Sequence, residues 1–226
     1  MVILKVADAK SFPGSIRECK TFNLYKMEVE MRKSIFTIIL ICLLIPLVSF
    51  AGAPLDSVKA QINKVLDVLR DPSLKGEAGK KTKKAKIRNI SDSFFDYTEL
   101  SKRTLGQNWS KLNTQQQNEF ISLYKQILED AYADKIVTYT DEKVNFGKET
   151  QLTEKTVEVQ TVILTKKADI PINYRVIQKG NEWKVYDVVI EGVSLISNYR
   201  NQFREILSNK TPDALLETLR KKVGKA

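Results

Sequence analysis

The chain has 226 residues, with 37 Lys/Arg against 27 Asp/Glu for a net charge of +10, two cysteines and no histidine. Without histidine the commonest general base and the usual serine or cysteine triads are excluded. Ordinary zinc sites and phosphate-cradling glycine loops are also missing, so neither a metal centre nor nucleotide-driven chemistry is expected.

Residues 1–30 mix charges with Pro13, Gly14 and scattered apolar residues. No targeting sequence begins this way, and the stretch reads as a mis-assigned start or a disordered leader. Residues 31–53 then read as a secretory signal peptide: Met31-Arg32-Lys33, an apolar run from Ile35 to Phe50, and Ala51-Gly52-Ala53. The run is shorter than the roughly 20 residues a transmembrane helix needs. A retained anchor is the alternative. Both cysteines, Cys19 and Cys42, precede the cleavage region, so the mature chain forms no disulfide although its compartment would permit one. Removing the seven basic and four acidic residues of 1–53 leaves 30 and 23, net +7. The remaining residues, 54–226, suffice for a single domain.

Leu55, Val58, Ile62, Val65, Leu66 and Leu69 recur at helical spacing, and Asp71-Pro72 ends that helix. A basic segment, Lys80 to Arg88, leads into Ile87, Ile90, Phe94 and Tyr97 at the same period. It is either a solvated helix face or a transient contact with anionic headgroups or an acidic docking surface. A nucleic-acid partner is not expected, because no aromatic residues interleave the cluster. Leu100 to Trp109 predicts a short helix closed near Gly106, and Thr114 with Gln117 matches a capping box for a long helix carrying Phe120, Tyr124, Ile127 and Leu128.

The period then changes to two. Val144 and Phe146 precede an expected turn at Gly147; Thr156–Thr165, Ile172–Gln178 and Trp183–Ile190 predict further strands. Gly180-Asn181 suits a two-residue hairpin. That register sets Val176 opposite Val185, Tyr174 opposite Asp187 and Ile172 opposite Val189. Val193, Ile196, Tyr199, Phe203 and Ile206 stripe one closing helix, entered directly through Gly192; Thr211-Pro212 starts another. The class is α+β: a twisted antiparallel four-stranded sheet wrapped by helices.

Residues 187–203, from Asp187 through Glu191-Gly192-Val193-Ser194 to Tyr199-Arg200 and Phe203, resemble the signature of the MlaC, or toluene-tolerance, family. Phe95-Asp96-Tyr97 through Leu105-Gly106 and Trp109, and the Thr114–Tyr132 and Thr211–Leu219 helices, fit the same pattern. The resemblance implies a nuclear-transport-factor-like cone with an added helical part. It implies a periplasmic carrier that shields phospholipid acyl chains between an outer-membrane lipoprotein complex and an inner-membrane ABC transporter. The implied protein is not an enzyme and needs no cofactor.

A carrier needs an apolar hollow, since each methylene left in water costs roughly 0.8 kcal/mol. Candidate lining residues are Val157, Val159, Ile163, Ile172, Tyr174, Val176, Val185 and Val189 on the sheet, with Val193, Ile196 and Tyr199 on the helix that follows. Periodicity alone does not separate a lined cavity from a packed core; the resemblance favours the cavity. Asp187 beside Tyr174 is either a proton-transfer pair, the enzyme alternative, or a structural carboxylate held by the following turn or by Arg200. Another apolar ligand in place of phospholipid is a further alternative.

Overall fold

The computed structural model describes residues 53–139 and 142–224, all within one compact unit. The signal peptide and leader expected before residue 53 lie outside the described residues. Helix α1 (Pro54–Arg70) starts with proline at its first position, where a missing amide is harmless. The free Leu55 amide donates to the Glu149 carboxylate of the sheet. Helix α2 (Gly76–Phe94) carries the basic segment and ends one turn earlier than its apolar stripe predicts. Phe95 leaves the helix to form a single parallel bridge with Val185, and the Asp96 amide donates to the Val185 carbonyl at 2.8 Å. Asp96 then caps helix α3 (Tyr97–Leu105) by accepting from the Glu99 amide at 2.8 Å.

Gly106, at φ +55°, closes α3 and opens a 3-10 turn to Lys111. Helix α4 (Thr114–Val137) is capped by Asn113 and Gln116, not by Thr114 and Gln117: both reciprocal bonds are 2.9 Å. Gln117 donates instead to the Trp109 and Leu112 carbonyls, tying the 3-10 turn to the helix.

The sheet is antiparallel in the order β1 (Lys143–Thr153), β2 (Thr156–Leu164), β3 (Asp169–Lys179), β4 (Glu182–Ile190), β5 (Val193–Ser194). The expected turn at Gly147 is instead an irregularity within a continuous β1, where a side chain would meet the Gln160 carbonyl at 3.2 Å. The fifth strand is the pair of residues after the Glu191-Gly192 turn, both at positive φ (49° and 83°). Gly180 at φ +59° makes the expected two-residue hairpin, and Lys179 pairs with Glu182. Helix α5 (Leu195–Asn209) is capped by Ser194, and helix α6 (Pro212–Val223) by Thr211.

The expected register holds only as far as Val176–Val185. Beyond it β4 carries one extra residue at Tyr186, a β-bulge, so Arg175 pairs with Asp187, Tyr174 with Val188, and Ile172 with Ile190. One extra residue turns every later side chain of β4 to the opposite face. On the helical side, Phe120, Tyr124, Tyr199 and Phe203 form an aromatic cluster with centroids 5.1–5.7 Å apart, and Leu215, Leu216 and Leu219 of α6 are buried.

Candidate functional site

Directly paired residues of antiparallel strands share a face, so the register defines the two surfaces of the sheet. The inner face carries Val157–Val176–Val185 in one row and Val159–Tyr174–Val188 in the next. Thr161–Ile172–Ile190 and Ile163–Ile170 complete it toward the far end. Thr161 is satisfied by donating to the Ile172 carbonyl at 2.7 Å. Seven of the eleven expected lining residues therefore converge: Val157, Val159, Ile163, Ile172, Tyr174, Val176 and Val185.

Of the other four, Val189 and Val193 do not join them, while Ile196 and Tyr199 meet them from helix α5. Val189, displaced by the bulge, pairs with Asn173 on the outer face. Val193 sits at the turn tip, 58% exposed. Ile196 and Tyr199 are buried in the same core as the inner-face valines, with Tyr199 also packed on Tyr124 and Phe203. Val188 and Ile190 take the inner-face places expected of Val189; no residue pattern in β4 announces a bulge, because Tyr186 is as good a strand residue as its neighbours.

Two elements cover the inner face. Helix α1 packs against β1, β2 and β4, with its Leu55 amide on Glu149 and the Lys59 ammonium 5.7 Å from the Phe146 ring. The end of α2 brings Phe94 to 6.1 Å from the Tyr174 ring. Burial pushes the Tyr174 phenol up to about 12, so it stays protonated at neutral pH. Val159, Val176 and Val185 are 0% exposed, which leaves no water-sized void against them. Cover and sheet pack closely at these three positions. At the other end of the face, Val144, Ile163, Ile170, Ile172 and Ile190 are only half-buried.

The outer face carries a charge row. Arg175 bridges Glu158 at 2.9 Å and Asp187 at 3.2 Å. Asp187, 1% exposed, also accepts from the Ser194 hydroxyl at 2.7 Å and the Ile196 amide at 3.1 Å. This corrects two expectations. Tyr174 and Asp187 point to opposite faces and form no proton-transfer pair, and Arg200 donates to the Arg103 carbonyl rather than pairing with Asp187.

The basic segment is largely internally compensated. Lys83 donates to the Leu69 carbonyl at 2.6 Å, Lys84 pairs with Asp134, Lys86 lies 3.8 Å from Asp71, and Arg88 meets Asp130 at 2.8 Å. Open grooves of about 380 and 430 Å³ flank α2, one toward α1 at Val68 and Ile90, one toward α4 at Arg88, Lys125 and Glu129. Neither includes an inner-face residue. Among the described residues, no group of side chains is arranged to hold a metal ion, and no helix is long and apolar enough to cross a membrane.

The fold thus sets a largely aliphatic sheet face under a helical cover, with Thr161 and Tyr174 as its polar members. The family model described as "MlaC protein" matches residues 59–221, and the chain belongs to that family. A similar curated relative is the intermembrane phospholipid transport system binding protein MlaC of Haemophilus influenzae, 24% identical over 135 residues. The match covers 58% of this chain, and the chain spans 63% of that relative's length. Among solved structures, a phospholipid-binding protein from Ralstonia solanacearum, in complex with a phospholipid, is similar at TM-score 0.68 and 23% identity. That likeness covers 77% of this chain and 98% of the other, and it shows that the two share a fold.

Proposed function

We propose that this protein carries a phospholipid between membranes in the periplasm, with the acyl chains held against the inner face of the sheet. Membership of the MlaC family is the observation that carries the reading. The largely apolar inner face supports it, as do the phospholipid-transport and phospholipid-binding roles of the two relatives. Export through the signal peptide at 31–53, and exchange with an inner-membrane ABC transporter and an outer-membrane lipoprotein complex, are parts of the same proposal. Any contact with a membrane surface is transient, since most cations of the Lys80–Arg88 segment already have partners within the chain.

The half-buried end of the inner face, at Val144, Ile163, Ile172 and Ile190, is the mouth through which chains enter. Two ordinary acyl chains hold about 30 methylenes, or about 24 kcal/mol of desolvation at roughly 0.8 kcal/mol each. A bilayer offers the lipid a similar gain. Transfer is therefore near balance, and direction comes from partners that bind one loaded state better than the other.

The test is lipid extraction and native mass spectrometry of protein purified from its own periplasm, which should show bound phospholipid. Ile163→Glu puts a charge at the mouth on a half-buried residue and should abolish loading while the protein still folds. Leu152→Glu, at a position already 43% exposed, should leave loading unchanged. Bare protein in the wild type, or full loading of Ile163→Glu, sinks the proposal.

A further inference from the structure

The inner face is sealed at one end, so a carrier of this construction must move part of its cover, and the structure indicates which part. Helices α1 and α2 together hold 36 residues, yet only Val58, Leu69, Gly79, Ile87 and Phe94 among them are buried. The 12-residue α6 buries three leucines on its own. Few buried apolar residues put α1 and α2 at the low-stability end of the fold.

Polar links hold this arm instead. Lys84, Arg88 and Asp92 of α2 are spaced by four, one face of a helix. They meet Asp134, Asp130 and Lys125 of α4 in descending order, three rungs between antiparallel helices. At the free end, Arg70 donates to the Glu142 carbonyl at 2.9 Å and Lys83 to the Leu69 carbonyl. Glu142 immediately precedes β1, whose Val144 pairs with Ile163 at the mouth. The turn joining α1 to α2 therefore overhangs the half-open end of the face. The arm's other end is anchored where the face is sealed: Phe95 and Asp96 on Val185, Lys184 on the Ser93 carbonyl at 2.7 Å, and Lys179 on Asp96 at 3.2 Å.

We propose that α1 and α2 form a flap hinged at Phe95–Asp96, latched to α4 by the Lys84, Arg88 and Asp92 rungs, which lifts at the mouth to admit acyl chains. The acyl-chain role rests on the carrier reading above; the flap itself does not. Its sealed end stays down while the tip rises, so the rung at Lys84 breaks first and the one at Asp92 last.

Hydrogen exchange of the full chain, without lipid, reads the flap directly. Raising salt from 10 mM to 1 M shortens the screening length from about 30 Å to about 3 Å. Amides of residues 66–84 should then exchange about tenfold faster, while those of β2–β4 and α6 stay unchanged. Lys84→Asp and Asp130→Asn should each reproduce a severalfold increase at low salt. The swap Lys84→Asp with Asp134→Lys should restore protection, which general unfolding would not. In parallel, uptake of pyrene-labelled phosphatidylcholine from uncharged phosphatidylcholine vesicles should speed up in Lys84→Asp and return to the wild-type rate in the swap. Exchange of the flap in step with the strands, indifferent to salt and to these variants, overturns the flap. Flap exchange as expected but no lipid uptake by any variant overturns the acyl-chain role, and the carrier reading with it.

Discussion

Replacing Asp187 with alanine removes a carboxylate that holds three groups at once: the Ser194 hydroxyl, the Ile196 amide and the Arg175 guanidinium. The first two become buried donors with no acceptor, at about 1.5 kcal/mol each for bonds to a charged group. The ion pair adds at most about 1 kcal/mol, because the Arg175 side chain is 35% exposed and keeps Glu158. The expected loss is about 3–4 kcal/mol. With a urea slope of about 2 kcal/mol per molar, the unfolding midpoint should fall by about 1.5–2 M. Asp187→Asn should lose about half as much, since its amide oxygen can still accept from Ile196. Lipid loading of the folded fraction should be normal in both variants, because Asp187 lies on the outer face. A midpoint shift below about 0.5 M for Asp187→Ala would refute the structural role assigned to this carboxylate.

Three other outcomes follow from the geometry. Gly79→Ala should destabilise although alanine favours a helix by about 1 kcal/mol, since the new methyl would lie 2.4 Å from the Leu74 carbonyl carbon; a raised melting temperature would show that Leu74 moves aside. Asn113→Ala should lower stability by about 1 kcal/mol through loss of the α4 cap, with Thr114→Ala nearly neutral; calorimetry on the two variants distinguishes the caps. Burial raises the pKa of Glu129 despite the opposing cations Lys125 and Arg88. Its contribution to stability is thus fully present below the ordinary glutamate range and lost as pH rises through the raised value. Glu129→Gln should remove that descending segment from the curve of stability against pH, and an unchanged curve would contradict the assignment.

The periodicities at three to four residues located α1, α2, α4, α5 and α6, because a helix buries one stripe whatever it packs against; α3 begins at Tyr97, three residues before its expected start, and ends at Leu105. The alternation of β2 and β4 and the Gly180 hairpin were legible for the same local reason: φ above zero after Lys179 is a requirement that Gly180 meets alone. That Val157, Val159, Ile163, Ile172, Tyr174, Val176 and Val185 share one face followed from strand alternation. The caps divided: Thr211-Pro212 is local chemistry and was visible, whereas Asn113 displaced Thr114 once Gln117 was drawn to the carbonyls of the 3-10 turn.

What the residues could not disclose is every feature set by fit between distant segments. Phe95 leaves its helix to bridge Val185, and the next residue of β4, Tyr186, becomes the extra residue of a bulge. That single insertion carries Asp187 away from Tyr174 to Arg175 and Ser194, and moves Val189 to the outer face. Likewise, the basic run of α2 shows its charge in the sequence but not its compensation, since Asp130 and Asp134 lie over forty residues away. Alternation says which side chains share a surface; only the packing of α1 and α2 on the sheet decides that three of those valines are sealed and five aliphatic neighbours are left half-open.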